Sequence, residues 1–132
     1  MVNILIISHS FKIAEGTKEL AEEMKQADID IQIAGGTSGG KLGTDADLIR
    51  QKLENMDSED GIVVLADLGS AVMSFNMVKE WLPEAKQKKI KLADAPLVEG
   101  AVLGAVEASL GKTLDEVLAA IEKKSIINKN NF

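Results

Sequence analysis

A single histidine occurs in the 132-residue chain, and its neighbours suit it for chemistry. His9 follows Asn3-Ile4-Leu5-Ile6-Ile7-Ser8 and precedes Ser10. The aliphatic run is too short for a helix and is bounded by polar residues, which is the pattern of a buried strand. His9 therefore stands where that strand ends. Neutral imidazole attacks phosphorus near pH 7 and leaves again with similar ease. Such a nucleophile needs a carboxylate on its other ring nitrogen to set tautomer and orientation. Asp67 is the natural candidate, because Asp67-Leu68-Gly69-Ser70 ends a second unbroken aliphatic run, 62–66. Backbone N–H groups of Gly69, Ser70 and the glycine-dense segment 34–44 can hold phosphoryl oxygens. Ser10, Gly35 and Thr44 complete the candidate phosphoryl-binding set. Plainer uses exist for each: a lone histidine is commonly a surface or core residue, and Asp67 or Ser70 could simply cap the helix that follows.

The totals narrow the function classes. A chain of this length is read as one domain with a sizeable core, over 1–124, followed by a polar tail, 125–132, expected to fray. Hydrophobic residues at 45% and charged residues at 27% are ordinary for a soluble globular protein. A net charge of −6 argues against nucleic acid or an anionic membrane as partner. With no cysteine and one histidine, thiolate chemistry, disulfides, and Cys- or multi-His metal sites are out, so no metal is expected on the chain. The N-terminus lacks a basic region and a long apolar core, so it does not read as a signal peptide. No apolar run reaches membrane-spanning length, and the expected location is cytoplasmic.

The elements that must position these residues follow from periodicity. Ile13, Ala14, Thr17, Leu20, Ala21 and Met24 recur at helical spacing, with Ser8 or Ser10 able to cap the helix. Ile29, Ile31 and Ile33 alternate with polar residues, as in a half-buried edge strand. Thr44 with Asp47 resembles a capping box for a second helix bearing Ile49, Leu53 and Met56. Ile62 to Ala66 is a central strand. Helix three carries Ala71, Val72, Phe75, Met77, Val78, Trp81 and Leu82 over more than one face, which predicts burial of a second side, and Pro83 closes it. Ile90 to Ala93 is a short edge strand. Residues 98–110 form a helix of small apolar residues, either a subunit interface or an internal helix. Thr113 to Glu116 is a capping box for a last helix containing Leu114, Val117, Leu118 and Ile121.

Strands alternating with helices predict an α/β fold, a doubly wound and mainly parallel sheet of order 2-1-3-4 with helices on both faces. Strand order reverses between the first and third strands, and ligands bind in the crevice beyond that point. The loops carrying His9 and Asp67 flank this crevice. Three rival chemistries fit less well. Residues 35–41 match the front of a phosphate-binding P-loop, but Leu42 stands where a Ser or Thr must hold magnesium. A receiver-type phospho-aspartate at Asp67 needs further carboxylates at the end of strand one, where Ser8-His9 stands. A flavin or nucleotide binder without catalytic function would want more than the four aromatic residues present.

The quoted segments resemble those of a known family. Ser8-His9-Ser10, then 34–44, Asp67-Leu68-Gly69-Ser70-Ala71 and Ala95-Pro96-Leu97-Val98-Glu99-Gly100-Ala101 together resemble the mannose-type IIA domains of the bacterial phosphotransferase system (PTS), over about residues 1–124. The likeness is strongest to the phosphotransfer subunits, called DhaM, of phosphoenolpyruvate (PEP)-dependent dihydroxyacetone kinases. The resemblance implies a phosphohistidine carrier and a component of a PEP–glycerone phosphotransferase. His9 would accept a phosphoryl group at Nε2 from phospho-HPr, itself charged by enzyme I, and Asp67 would support the ring. The group would pass to ADP, with magnesium, on the DhaL subunit, while DhaK holds dihydroxyacetone. A homodimer with no cofactor of its own is implied. The alternative acceptor within the same chemistry is the IIB protein of a mannose-type sugar transporter.

Overall fold

A computed structural model describes residues 1–123 and 127–131. The chain runs β1 (Asn3–Ser8), α1 (Phe11–Met24), β2 (Ile31–Gly35), α2 (Ala46–Asn55), β3 (Ile62–Ala66), α3 (Gly69–Glu80), α4 (Glu84–Gln87), β4 (Ile90–Leu92), α5 (Leu97–Ser109) and α6 (Leu114–Ile121). The strands form one parallel sheet in the order β2-β1-β3-β4, as the patterns of the two unbroken runs require. Alternation along each strand then builds two cores. Ile4 and Ile6 of β1, with Val63 and Leu65 of β3, face α1, α5 and α6. Leu5 and Ile7, with Ile62 and Val64, face α2 and α3 around Phe75. Fully burying each such side chain contributes about 1.5–3 kcal/mol, so both central strands are anchored on both faces.

Local capping differs from expectation at two helices. Ser10 does cap α1, its Oγ accepting the Ile13 amide at 3.2 Å. At α2 the cap is Asp45 rather than Thr44; Asp45 Oδ1 accepts the Leu48 amide at 3.2 Å. Thr44 instead shares a 3.0 Å hydrogen bond with Ser74 of α3. At α3, Leu68 holds the cap position and no side chain caps the helix, so neither Asp67 nor Ser70 serves as a cap. The Thr113–Glu116 capping box forms as expected.

Two expectations about helix faces also resolve. Helix α5 buries its small residues inside the chain: a Cβ on Gly100 would lie 2.9 Å from Leu65 Cδ2. The small residues therefore let α5 approach the sheet, and the stripe is internal rather than an outer contact face. Helix α3 buries Ala71, Phe75 and Val78, yet Met73, Met77 and Trp81 remain exposed, so its second side is not fully covered by the described residues. The Arg50 guanidinium lies over the Trp81 ring, 5.8 Å from its centroid. The short α4 went unforeseen; it begins directly after Pro83. The expected fraying of the tail, 125–132, falls partly on 125, 126 and 132, which lie outside the described residues. Residues Lys129–Asn131 form a 3-10 turn, and Lys129 pairs with Glu99 at 2.8 Å.

Candidate active site

Register places the chemistry. Ser8, the last residue of β1, pairs with Gly35 of β2, and Ile7 lies opposite Ala66 of β3. The residue after Ala66 is therefore level with Ser8, and the Asp67 amide donates to the Ile7 carbonyl at 3.2 Å. From β1 the chain turns to α1 on one face of the sheet; from β3 it turns to α3 on the other. His9 and Asp67 thus meet in the crevice between diverging helices, at the switch point of the sheet.

The ring is held by the carboxylate. His9 Nδ1 lies 2.9 Å from Asp67 Oδ1. An ionised carboxylate only accepts, so Nδ1 carries the proton and the Nε2 lone pair is free. Nε2 faces Ser70, whose hydroxyl is within hydrogen-bond contact and donates to it. The His9 side chain retains 23% exposure and that of Asp67 only 16%, so the ring is reachable while its support is sheltered. Three further donors converge on Asp67. Oδ2 accepts the Ser8 hydroxyl at 2.8 Å and the His9 amide at 3.0 Å, and Oδ1 also accepts the Leu68 amide at 2.7 Å. Burial penalises the charged carboxyl; the hydrogen bonds from the His9 ring, Ser8 and the His9 and Leu68 amides outweigh it and hold its pKa below the ordinary value.

The proposed phosphoryl-binding residues divide. Gly69 and Ser70 form the exposed first turn of α3, ahead of the Ala71 and Val72 amides that donate to Leu68 O. First-turn amides have no intrahelical acceptor, and the helix dipole adds positive potential there. Ser10 is engaged elsewhere: its Oγ caps α1 and its amide donates to Ser8 Oγ at 3.1 Å. Gly35 is a buried packing residue of β2, where an added Cβ would lie 2.8 Å from both Ala14 Cβ and Phe11 Cα. Thr44 touches α3 one turn beyond Ser70, through Ser74. These three are not brought to Nε2 by any hydrogen bond among the described residues.

The glycine segment has a different job from the one its composition suggested. The Gly36 amide donates to Ser8 O at 3.0 Å, and the Gly43 amide donates to His9 O at 2.9 Å. Both ends of the loop are thus pinned to the backbone that carries the histidine. Gly36 and Gly43 adopt positive φ, 69° and 142°, which side-chain-bearing residues resist. Those two amides are engaged with carbonyls and are unavailable to an anion. Ser8 is a functional side chain that residue type alone does not single out; its one visible signal is a hydroxyl at the last strand position before His9. Exposed apolar residues border the site: Phe11 opens α1, Leu42 precedes Gly43, Leu68 follows Asp67, and Met73 is one turn from Ser70.

A parallel 2-1-3-4 sheet with a carboxylate-supported histidine at its switch point defines a phosphocarrier-like IIA domain. A family model described as "PTS system fructose IIA component", EIIA-man, matches residues 3–118. The chain belongs to this IIA family, on its DhaM branch. The phosphoryl donor subunit DhaM of PEP-dependent dihydroxyacetone kinase 2 from Listeria innocua is 36% identical over 89% of this chain and 94% of its own. The DhaM of Escherichia coli is 37% identical over 89% of this chain but only 26% of its own length. The phosphotransferase subunit DhaM of Lactococcus lactis is 32% identical over 93% of this chain and 95% of its own. Among solved structures, a protein of unknown function, EF1359, superposes with TM-score 0.84 at 41% identity, over 92% of each chain. The EIIA component from Streptococcus agalactiae shares the fold, with TM-score 0.68 at 15% identity. No helix among the described residues is long and apolar enough to cross a membrane.

Proposed function

We propose that this chain is the phosphohistidine carrier of a PEP-dependent dihydroxyacetone kinase. His9 takes a phosphoryl group from phospho-HPr, charged by enzyme I, and gives it to ADP, with magnesium, on DhaL; DhaK holds the dihydroxyacetone. The observation that carries the reading is the His9 Nδ1–Asp67 bond, which leaves Nε2 as the nucleophile facing the first turn of α3. In the first step the Nε2 lone pair forms a bond to phosphorus, and the donor's phosphorus–nitrogen bond breaks with its electron pair returning to the donor ring. The Nδ1 proton stays on His9, hydrogen-bonded to Asp67. Ser70 releases Nε2 and, with the Gly69 and Ser70 amides, meets the phosphoryl oxygens. In the second step a β-phosphate oxygen of ADP attacks phosphorus, and the electron pair of the breaking bond returns to Nε2. Loose phosphoryl-transfer transition states need this positioning and dispersed positive potential more than covalent help.

Support comes from the relatives from Listeria innocua and Lactococcus lactis, named respectively as a phosphoryl donor subunit and a phosphotransferase subunit of a dihydroxyacetone kinase, which match about nine-tenths of the chain. The apolar border of Phe11, Leu42, Leu68 and Met73 supports protein donors and acceptors over a small free substrate. As a carrier the chain works as a homodimer in the cytoplasm. The test is phosphorylation with PEP, enzyme I and HPr, followed by site mapping under non-acidic conditions. Label on His9, lost in a folded His9→Ala variant, is expected; label on another residue refutes the reading. Mixing the phosphorylated protein with ADP-loaded DhaL should yield ATP, whereas transfer only to a IIB protein would assign it to sugar transport.

A further inference from the structure

Ser8 is the last strand residue before the histidine, and its side chain is fully buried. Its hydroxyl has one hydrogen to give. The Ser10 amide donates to Ser8 Oγ at 3.1 Å, and an amide cannot accept, so that hydrogen goes to Asp67 Oδ2 at 2.8 Å. The direction of the chain is fixed: Ser10 N–H to Ser8 O–H to the carboxylate. Oδ2 is held by Ser8 and the His9 amide on one side, while Oδ1 takes the ring proton and the Leu68 amide on the other. With Oδ2 clamped, the carboxylate plane cannot turn Oδ1 away from Nδ1. Ser8 also stabilises negative charge on Asp67, which keeps the proton on the ring when a dianionic group approaches Nε2. It touches neither the ring nor the space in front of Nε2.

We infer that Ser8 is a positioning residue for phosphoryl transfer, acting through Asp67 to hold His9 as the Nδ1–H tautomer. The inference builds on the phosphohistidine reading of the site. Two variants test it. Ser8→Ala removes the hydroxyl and its volume; Ser8→Cys fills the volume but donates weakly. Single-turnover phosphorylation by phospho-HPr should slow about tenfold in both, the scale of one hydrogen bond to a charged group. The ¹⁵N signals of the His9 ring should move in both from the Nδ1–H pattern towards a mixture of tautomers. Parent-like kinetics and ring signals in Ser8→Cys overturn the inference, since packing would then be the whole role, and this holds even if Ser8→Ala does not fold. Slowed transfer with unchanged ring signals in Ser8→Cys overturns it too. Ring signals that shift as expected in a protein whose parent takes no phosphoryl group at His9 support the positioning role and sink the carrier function instead.

Discussion

Replacing Asp67 with Asn probes the carboxylate with almost no change in volume. Four donors converge on it: the ring Nδ1 and Leu68 amide on Oδ1, the Ser8 hydroxyl and His9 amide on Oδ2. An asparagine offers one accepting oxygen and a two-hydrogen donor. With its nitrogen in the Oδ2 place, it opposes the His9 amide and forces Ser8 to turn away. With its nitrogen in the Oδ1 place, it opposes the Leu68 amide, and Nδ1 accepts only by moving its proton to Nε2. That second arrangement removes the nucleophilic lone pair. Stability should fall by about 2–4 kcal/mol, from two hydrogen bonds to a charge at about 1.5–3 kcal/mol each, less what the amide oxygen recovers. In a chain of this size that is a drop in Tm of roughly 10 °C. Phosphoryl uptake should fall on the order of 10⁴-fold, the scale on which a histidine in the wrong tautomer fails. Calorimetry, rapid-quench phosphorylation and ¹⁵N spectra of the ring measure the three effects. A folded Asp67→Asn protein with the Nδ1–H ring pattern and a parent-like rate would refute the claim that Asp67 orients His9.

Other outcomes follow from the same geometry. Ser70→Ala removes a hydroxyl from an exposed helix position, so stability should hardly change; uptake and release should both slow, about 10²- to 10³-fold, as for one lost donor to a developing oxyanion. Leu42→Ser removes apolar area from the border beside the site without adding a charge; the HPr concentration for half-maximal rate should rise, while spontaneous hydrolysis of phospho-His9 should not change. Acid unfolding should also report on Asp67. Its pKa is lowered in the fold, so its contribution is fully present above the ordinary carboxylate value and is lost as pH falls through the native value. Below about pH 4 the stability of the parent should therefore decline more steeply than that of Asp67→Asn, measured by urea unfolding across pH.

Much of the architecture was legible because it rests on strand pattern. The unbroken runs at 4–7 and 62–66 require cover on both faces, which sends them to the centre and yields the observed order. That order alone brings His9 and Asp67 together, since the ends of neighbouring parallel strands are adjacent. What composition could not reveal was which polar atoms remain free. Gly36 and Gly43 look like phosphate binders until their amides are found on Ser8 O and His9 O. Ser10 looks like a ligand until its oxygen is found capping α1. Thr44 and Asp45 are both able caps, and the turn selects the second. In each case, hydrogen-bond competition among close neighbours decides the role, and residue type does not encode its result. The exposed second side of α3 is a different matter: apolarity predicted burial, but Met73 and Met77 remain exposed among the described residues.

The charge arrangement suits the proposed carrier role, in which a phosphoryl group must leave as readily as it arrives. A phosphoryl group on Nε2 brings about two negative charges close to Asp67, in a protein already at −6. Repulsion between them would drive the ring proton towards the carboxylate if Asp67 were sparsely bonded. With four donors its charge is dispersed among two amides, a hydroxyl and the ring, so the proton stays on Nδ1 and keeps Nε2 a good leaving atom. On the other side, the first turn of α3 offers oriented dipoles equivalent to about half a positive charge. Dipoles attract the phosphoryl oxygens less firmly than a fixed cation, which favours onward transfer to a partner over storage. Strengthening that attraction should therefore slow release more than it speeds uptake, and Leu68→Lys, with its ammonium beside the first turn, separates the two rates directly.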